Sequence, residues 1–333
     1  MNPATTDPAP ARESNLSQLR DRLGLCQCFH YEDYPALERA RALLRELGVR
    51  HLRTGISWAD YLRPQGPEWY DAMFQALDDF EILLSIWHTP PSLSEGGTCS
   101  SPPRRLRDYA DFIDVVISRY GSRFSHLELW NEPNNRWKWD FPRYDPEWRK
   151  FGEMVGTAAY WARQRGVPTV LGGMIPVDPH WLGLMKHWGA FAYLDVIAIH
   201  GFPGMWWDDA PNWEWYRDWH GWEAKLDLLR PHVDGRPLWV TETGFATIDH
   251  PRRQEAQLWT QVERLDEVVQ CPAERIYWYS LIDLDPAREA IEGFHVDENE
   301  YHLGLVRADG SPKPAFERMR TLLLQSDPLV PVS

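Results

Sequence analysis

Residues 107–133 read "RDYADFIDVVISRYGSRFSHLELWNEP" and contain one complete helix–strand unit. Apolar side chains recur every three to four residues in the first part, which predicts an amphipathic helix that ends at Gly121. The stretch "HLELW" (126–130) then alternates and predicts a short strand. That strand stops at Trp130, and Asn131 and Glu132 follow it. The unit therefore predicts an α/β fold with an acid at the end of a strand.

The same unit recurs along the chain. Strands are expected at 22–27, 49–53, 81–87, 126–130, 169–173, 195–200, 238–242 and 275–281, and helices at 36–48, 68–80, 107–121, 146–166, 180–191, 219–231, 252–269 and 314–325. Strands that alternate with helices predict a parallel sheet. Eight units in 333 residues fit a closed (β/α)8 TIM barrel, which usually takes about 250 residues. An open doubly wound sheet is the alternative, but "LCQCFHYEDY" (25–34) lacks its glycine-rich turn.

The N-terminal residues and the amino-acid composition limit which kinds of protein the chain can be. Residues 1–18 are rich in Pro, Ala, Thr and Ser and predict a disordered tail, with one catalytic barrel at 19–333. The net charge of −14 argues against nucleic-acid and anionic-membrane partners. No apolar signal-peptide core or membrane-length stretch is visible, and the four scattered Cys predict reduced thiols, so we expect a cytoplasmic protein. The 19 Trp are more than a core needs and suggest flat stacking surfaces, for which sugar rings are one common ligand.

A second acid stands in a matching position. The stretch "LWVTETG" (238–244) places Glu242 at the end of the seventh predicted strand. In a closed barrel the fourth and seventh strands face each other across the mouth, so Glu132 and Glu242 would share one cleft. Glycoside hydrolysis needs two such carboxylates, one protonated and one ionised. The pair therefore predicts a glycosidase that requires no metal or other cofactor, although Glu132 alone could be a solvated turn residue.

The two strand ends resemble a known group of enzymes. Trp-Asn-Glu-Pro after the fourth strand and Thr-Glu-Thr-Gly after the seventh are similar to the signatures of the clan A glycoside hydrolases, especially the family 5 cellulase-type and family 39 β-xylosidase-type enzymes. The likeness covers roughly residues 20–325. It implies a retaining mechanism on a β-glycoside, with Glu242 as the nucleophile and Glu132 as the general acid/base. Such an acid/base should have a raised pKa. Long loops after several strands favour exo action.

The same resemblance extends to sugar-binding positions. It implies roles for Arg53 near the nucleophile, His88 and His200 along the sugar site, Asn131 on the sugar 2-hydroxyl and Trp278 as an aromatic floor. Each has a simpler reading, as a strand-end ion pair, a buried histidine or a core aromatic. Phe202 departs from the pattern, because many relatives carry a Tyr there whose hydroxyl can contact the nucleophile.

Two loops carry tryptophans that could stack on substrate. The loop at 201–222 contains Trp206, and the loop at 134–141 contains Trp137. We expect both to contact sugar, although packing is the simpler role for a Trp. Two other classes remain open: a metal-dependent hydrolase that uses His88 and His200, and a glycan-binding barrel that is non-catalytic or transglycosylating.

Overall fold

The computed structural model describes residues 18–205, 220–248, 254–289, 291 and 298–325. The predicted tail at 1–18 lies outside these residues except for Gln18. Within them, no helix combines the length and apolar character that crossing a bilayer requires.

Eight parallel strands form a closed barrel in sequence order. They are Leu23–Cys26 (β1), His51–Ser57 (β2), Glu81–Trp87 (β3), His126–Leu129 (β4), Thr169–Met174 (β5), Val196–Gly201 (β6), Leu238–Thr243 (β7) and Arg275–Tyr279 (β8). Each strand pairs with the next, and β8 pairs with β1 to close the sheet. The predicted (β/α)8 barrel is confirmed.

Helices follow the strands and cover the outside of the barrel. They are Tyr34–Leu47 (α1), Trp58–Tyr61 (α2), Gly66–Ala76 (α3), Arg107–Tyr120 (α4), Phe141–Tyr144 (α5), Arg149–Gln164 (α6), Pro179–His187 (α7), Trp222–Leu229 (α8), Gln254–Val269 (α9) and Pro314–Gln325 (α10). Short 3₁₀ turns lie at Leu19–Asp21, Ala190–Tyr193, Arg230–His232 and Glu298–His302.

Local signals explain where α1 begins and ends. The Asp33 carboxylate accepts a hydrogen bond of 3.1 Å from the Ala36 backbone N–H, which caps the first turn. Gly48 ends the helix at φ 70°, a left-handed conformation that glycine adopts without steric cost.

The two faces of the strands fill different cores. Outward side chains such as Leu25, Ile56 and Leu127 join a large core between sheet and helices. Inward side chains such as Cys26 and Tyr277 form a small core inside the barrel. Because successive strand residues alternate between faces, polar side chains on the inward face are held at fixed heights below the mouth.

Candidate active site

Arg53 lies at the centre of the charged groups inside the barrel. The sequence predicted it at the end of the second strand, and this is wrong because β2 continues to Ser57. Its guanidinium donates to Glu242 Oε1 at 2.6 Å, to Glu128 Oε2 at 2.7 Å and to Asn131 Oδ1 at 2.7 Å. Only 2% of its surface is exposed. One buried cation thus holds two carboxylates and fixes which way the Asn131 amide faces.

Glu132 stands on an unusual stretch of backbone after β4. Its φ is 45° and that of Trp130 is 79°, both in the left-handed region that non-glycine residues seldom adopt. Such conformations cluster at functional sites. They turn the Glu132 side chain into the mouth, where Oε1 accepts from His200 Nδ1 at 3.0 Å and Oε2 accepts from Asn135 Nδ2 at 3.0 Å.

His200 at the end of β6 bridges the two glutamates. Its Nδ1 lies 3.0 Å from Glu132 Oε1 and 3.4 Å from Glu242 Oε2. The side chain is fully buried, and Gly173 on β5 makes room for it. A Cβ at position 173 would lie 1.9 Å from His200 Nε2. The imidazole is therefore fixed between the carboxylates by close packing as well as by hydrogen bonds.

The two carboxyl groups are close together. Glu132, His200 and Glu242 each place one polar atom within 4.8 Å of those of the other two. Two carboxylates and an imidazole are also ligands that a transition metal accepts. However, the Arg53 guanidinium lies 2.6 Å from Glu242 Oε1 and places a positive charge beside any metal there. The arrangement fits two acids in one reaction better than a cation site.

The protonation states of the two acids differ. Burial raises the pKa of Glu242 to about 7, although the charges of His200 and Arg53 oppose that rise. Burial also disfavours the ionised form of Glu132, but hydrogen bonding to His200 and the charge of Lys138 outweigh it and lower its pKa to about 2. The prediction of a raised Glu132 pKa is therefore wrong for the free chain, because the donors around Glu132 stabilise its charge. Between about pH 2 and about pH 7, Glu132 and Glu242 together therefore hold one proton.

Lys138 is a charged member of the site that the sequence did not reveal. Its backbone is held by a 3.2 Å hydrogen bond from Trp130 Nε1 to its carbonyl oxygen. Burial lowers the pKa of its ammonium group, while the charges of Glu132, Glu300 and Glu242 counteract that shift. The sequence around it is marked by the tryptophans on either side, and no local pattern distinguishes a lysine at this position from a solvated one.

His88 reaches the same cleft from the end of β3. Its φ is 63°, and its Nδ1 lies 3.4 Å from Ser57 Oγ. Burial, together with the charge of Lys138, lowers the pKa of His88 to about 3. His88 is therefore a neutral imidazole that can donate or accept one hydrogen bond with a ligand.

Trp278 does not occupy the position that the sequence predicted. It is fully buried in the outer core between sheet and helices, so it cannot form a floor under a sugar. The next residue, Tyr279, packs against the inward core instead. Burial raises its pKa, and the charges of Glu300 and Glu242 add to this. The predicted aromatic residue therefore lies on the correct strand, β8, but on its outward face.

Phe202 lies beside that tyrosine. The rings of Phe202 and Tyr279 meet edge to face with 6.3 Å between centroids. The position thus contributes an apolar edge to the mouth where many members of the resembled families carry a hydroxyl.

Of the two tryptophans predicted to stack on sugar, Trp137 and Trp206, the structure describes only Trp137. Trp137 is 60% exposed, and the Arg136 guanidinium lies 4.8 Å from its ring centroid. Such a ring is accessible to a ligand, so stacking at Trp137 stays a prediction. Trp206 lies outside the described residues.

No family model matches the chain. Two curated plant proteins match short segments. One is a cyanidin 3-O-glucoside 7-O-glucosyltransferase (acyl-glucose) from Delphinium grandiflorum, 29% identical over 105 residues, or 28% of this chain and 20% of that protein. The other is a chloroplastic benzoxazinyl glucoside β-D-glucosidase from Triticum aestivum. It is 26% identical over 114 residues, which is 30% of this chain and 20% of that protein. The matched segments span about a fifth of each relative's length.

Solved structures match far more of the chain. A family 39 β-xylosidase from Caulobacter crescentus aligns with a TM-score of 0.63 at 17% identity, covering 90% of this chain and 70% of that one. A family 39 glycoside hydrolase from Bacteroides cellulosilyticus WH2 aligns with a TM-score of 0.61 at 17% identity, covering 91% and 64%. A β-glucuronidase from Faecalibacterium prausnitzii aligns with a TM-score of 0.54 at 17% identity, covering 91% of this chain and 49% of that one. The chain therefore shares the barrel fold of glycoside hydrolases, as the strand-end motifs predicted.

Proposed function

We propose that the chain is a retaining β-glycosidase, with Glu242 as the nucleophile and Glu132 as the general acid/base. The observation that carries this proposal is that the two carboxyl groups meet at one imidazole: His200 Nδ1 lies 3.0 Å from Glu132 and 3.4 Å from Glu242, and one oxygen of each acid lies within 4.8 Å of the other. Retaining glycosidases hold their two carboxyls about 5 Å apart, whereas inverting ones leave about 6.5–9.5 Å for a water molecule. The shared fold with glycoside hydrolases supports the same conclusion.

In the first step, Glu242 attacks the anomeric carbon while Glu132 gives its proton to the departing glycosidic oxygen. A bond forms between Glu242 and the sugar, and the bond to the leaving group breaks. Arg53 orients the attacking carboxylate through its 2.6 Å contact with Oε1. Asn131, fixed by the same guanidinium, is placed to bond the sugar 2-hydroxyl.

In the second step, Glu132 acts as a base. It takes a proton from water, the water oxygen attacks the anomeric carbon, and the bond to Glu242 breaks. Glu132 ends protonated and Glu242 ends ionised, so the pair returns to its starting charge. Two inversions at one carbon leave the product with the β configuration of the substrate.

The free chain favours the proton on Glu242, whereas the first step needs it on Glu132. His200 offers the route between them, since its Nδ1 contacts both carboxylates. The imidazole gives its Nδ1 proton to Glu132 and takes the Glu242 proton in exchange. The charge of the pair is unchanged by this transfer, and only its position differs.

Stereochemistry tests the proposal. Proton NMR of a β-glycoside during cleavage should show the β-anomer of the free sugar first, followed by slow mutarotation. An α-anomer as the first product would contradict a double displacement. The fresh reaction must be followed within minutes, because mutarotation erases the difference.

Two alternatives can be tested directly. The match to a plant acyl-glucose glucosyltransferase favours transfer of the sugar to an alcohol instead of water. Added methanol should then yield methyl β-glycoside in preference to free sugar. The cluster of Glu132, His200 and Glu242 also offers three metal ligands, but the Arg53 guanidinium beside Glu242 disfavours a cation there. Loss of activity on dialysis against a chelator would support a metal-dependent hydrolase instead.

The finer proposals concern the mode of action and location. Long loops around the mouth favour exo action, in which the enzyme cleaves from a chain end. The four cysteines are Cys26, Cys28, Cys99 and Cys271, and all are free thiols. Free thiols suit a reducing compartment, so we propose a cytoplasmic location.

A further inference from the structure

Two cysteines face the inside of the barrel at the end of β1. Cys26 is fully buried in the inward core, and Cys28 is partly exposed and packs against the same core. Only Gln27 separates them, and successive residues of an extended chain point to opposite faces, so the two thiols lie on one side. Burial raises the pKa of the Cys26 thiol, and a hydrogen bond with the Cys28 side chain raises it further. The two sulfur atoms are therefore neighbours.

The buried thiol also contacts the central cation of the active site. Cys26 pairs in register with Arg53 on β2, and Arg53 Nη1 donates to Cys26 Sγ at 3.3 Å. The same nitrogen donates to Glu242 Oε1 at 2.6 Å. Because protein interiors are close-packed, a displacement of Cys26 Sγ must move the guanidinium or leave a gap beside it. The position of the proposed nucleophile thus depends on where the Cys26 sulfur lies.

The thiol of Cys28 can be reached by small molecules. A cavity of about 430 Å³ lies at the ends of β1 and β8, and Cys28 is one of its lining residues. This volume is many times the roughly 30 Å³ that a water molecule occupies in the liquid, so a molecule of the size of hydrogen peroxide fits beside the thiol. Cys26 has none of its surface exposed, so the two thiols differ in access although they are neighbours.

The spacing of the two cysteines permits a disulfide bond. Alternate residues of a strand have Cα atoms about 6.6 Å apart, within the roughly 4.4–6.8 Å over which disulfides form. Gln27 is held between them, because its N–H donates to the Arg53 carbonyl at 2.9 Å and its side chain donates to the Cys28 carbonyl at 2.8 Å. A bond near the upper limit of that range is strained, and strained disulfides are readily reduced. The pair therefore suits a reversible bond better than a permanent one.

We propose that Cys26 and Cys28 form a redox switch, in which hydrogen peroxide converts the two thiols to a disulfide and thereby displaces Arg53 from Glu242. The Cys28 thiolate attacks the peroxide, which leaves a sulfenic acid on Cys28 and a hydroxide that takes up the thiol proton. The Cys26 sulfur then attacks the Cys28 sulfur and loses its proton, and the sulfenic oxygen leaves as water. The two sulfurs lose two electrons in total, and one hydrogen peroxide becomes two water molecules.

A reversible bond of this kind suits the reducing compartment proposed above. Disulfides in such a compartment are usually transient, and they serve catalysis or redox sensing more often than stability. Formation of the bond depends only on the two thiols. The loss of activity that it should cause rests on the proposed glycosidase function, so the two parts can be measured separately.

The test treats the reduced enzyme with hydrogen peroxide and follows free thiols, disulfide peptides and activity. The free thiols should fall from four to two, and peptide mapping should join Cys26 to Cys28. The value of kcat/KM should fall at least about tenfold, because a displacement of about 1 Å in a positioning group can cost about 10²-fold. Dithiothreitol should restore both the thiols and the activity.

Cys28→Ser removes the accessible thiol and serves as the resistant variant. Before treatment, its activity and melting temperature should be close to those of the wild type. In peroxide it should keep its activity, and Cys26 should stay a free thiol. Cys99→Ser is the matched control, because Cys99 is also partly exposed. It should lose activity and two thiols as the wild type does.

A Cys26 thiol that stays free in the peroxide-treated wild type would overturn the proposal, and this result does not depend on any variant. Equal inactivation of Cys28→Ser by peroxide, or a disulfide that forms without a change in kcat/KM, would also overturn the switch. Inactivity of the reduced wild type before peroxide is added would contradict the glycosidase function instead, while the thiol measurements would still test the pair.

Discussion

Glu132 after β4 and Glu242 within β7 are the same residue type at the same rim of the barrel, but their surroundings differ. Glu132 stands on left-handed backbone and accepts from two donors, His200 and Asn135. Glu242 stands on β7, where the pairing with β8 shifts register between Val240 and Thr243, and receives Arg53, a cation that it shares with Glu128. Both side chains are largely buried, with 13% and 10% exposed.

The difference shows that a cation does not by itself keep a buried carboxylate ionised. Arg53 is divided between two acids, so burial prevails at Glu242 and its pKa is raised to about 7. Glu132 has no guanidinium, yet donors on both oxygens and the charge of Lys138 hold its pKa at about 2. The strand end fixes where an acid lies, and the neighbouring loops and strands fix its charge.

The largest expected effect is at Glu242. Glu242→Gln should lower kcat about 10⁵-fold on every substrate, whatever the leaving group, because the amide cannot form the glycosyl-enzyme. Glu128→Gln is the matched control, since Glu128 is the other partner of Arg53. It should unfold at lower denaturant concentration but keep kcat within about tenfold of the wild type. Equal losses in both variants would mean that Glu242 acts only through Arg53.

The second effect separates the acid role from the nucleophile role. Glu132→Ala should cleave a dinitrophenyl glycoside in its first step with a burst, because that leaving group departs without a proton. An alkyl glycoside should lose about 10²–10⁴-fold in rate. Azide should restore the slow second step and give a β-glycosyl azide. If the burst and the β-glycosyl azide come from Glu242→Ala instead, Glu132 is the nucleophile and Glu242 is the acid/base.

A third, smaller effect tests whether His200 carries protons between Glu132 and Glu242. Gly173→Ala would place a Cβ 1.9 Å from His200 Nε2, so the imidazole must move. A displacement of about 1 Å can cost about 10²-fold in kcat/KM. Gly183→Ala, on α7, is the control, because nothing lies within 4 Å of a Cβ there. If Gly173→Ala retains full activity, His200 is not part of the proton route.

The smallest effect is a shift with pH. Glu242 has its pKa raised to about 7, so the pair keeps its single proton below that pH and loses it above. Glu132 has its pKa lowered to about 2, so the pair gains a second proton only in strong acid. Activity should therefore fall above about pH 7. Lys138→Met removes a positive charge near both acids and should move that fall upward by about half to one pH unit. An unchanged profile in Lys138→Met would exclude an electrostatic role for it.

The sequence predicted the barrel well because its signals are local. Alternating patterns located all eight strands, and the helix of 314–325 was placed to the residue. The ends of strands were less certain. "HLRTGIS" (51–57) includes Thr54 and Gly55, which interrupt an apolar pattern, so β2 was ended four residues early. Arg53 was consequently placed at the rim and not below it.

The site was predicted only where a motif marked it. Glu132 follows the end of β4 and Glu242 lies near the end of β7, and His88, His200 and Asn131 were also brought to the same cleft. Glu128 was missed, although a charge in the middle of "HLEL" must be paired when it is buried. The resemblance assigned the aromatic floor to Trp278, although the period of two along β8 places Tyr279 on the inward face. Lys138 reaches the cleft through the turns of its loop, which no local periodicity reveals.

Direct capture of the covalent intermediate tests the central claim, that Glu242 forms the bond to the sugar. A 2-deoxy-2-fluoro β-glycoside with a dinitrophenyl leaving group should inactivate the enzyme, because fluorine slows both steps and the good leaving group keeps only the first step fast. Mass spectrometry of the intact chain should show one added fluorosugar, and peptide mapping should place it on Glu242. A label on Glu132, or steady inactivation without any covalent adduct, would contradict the account.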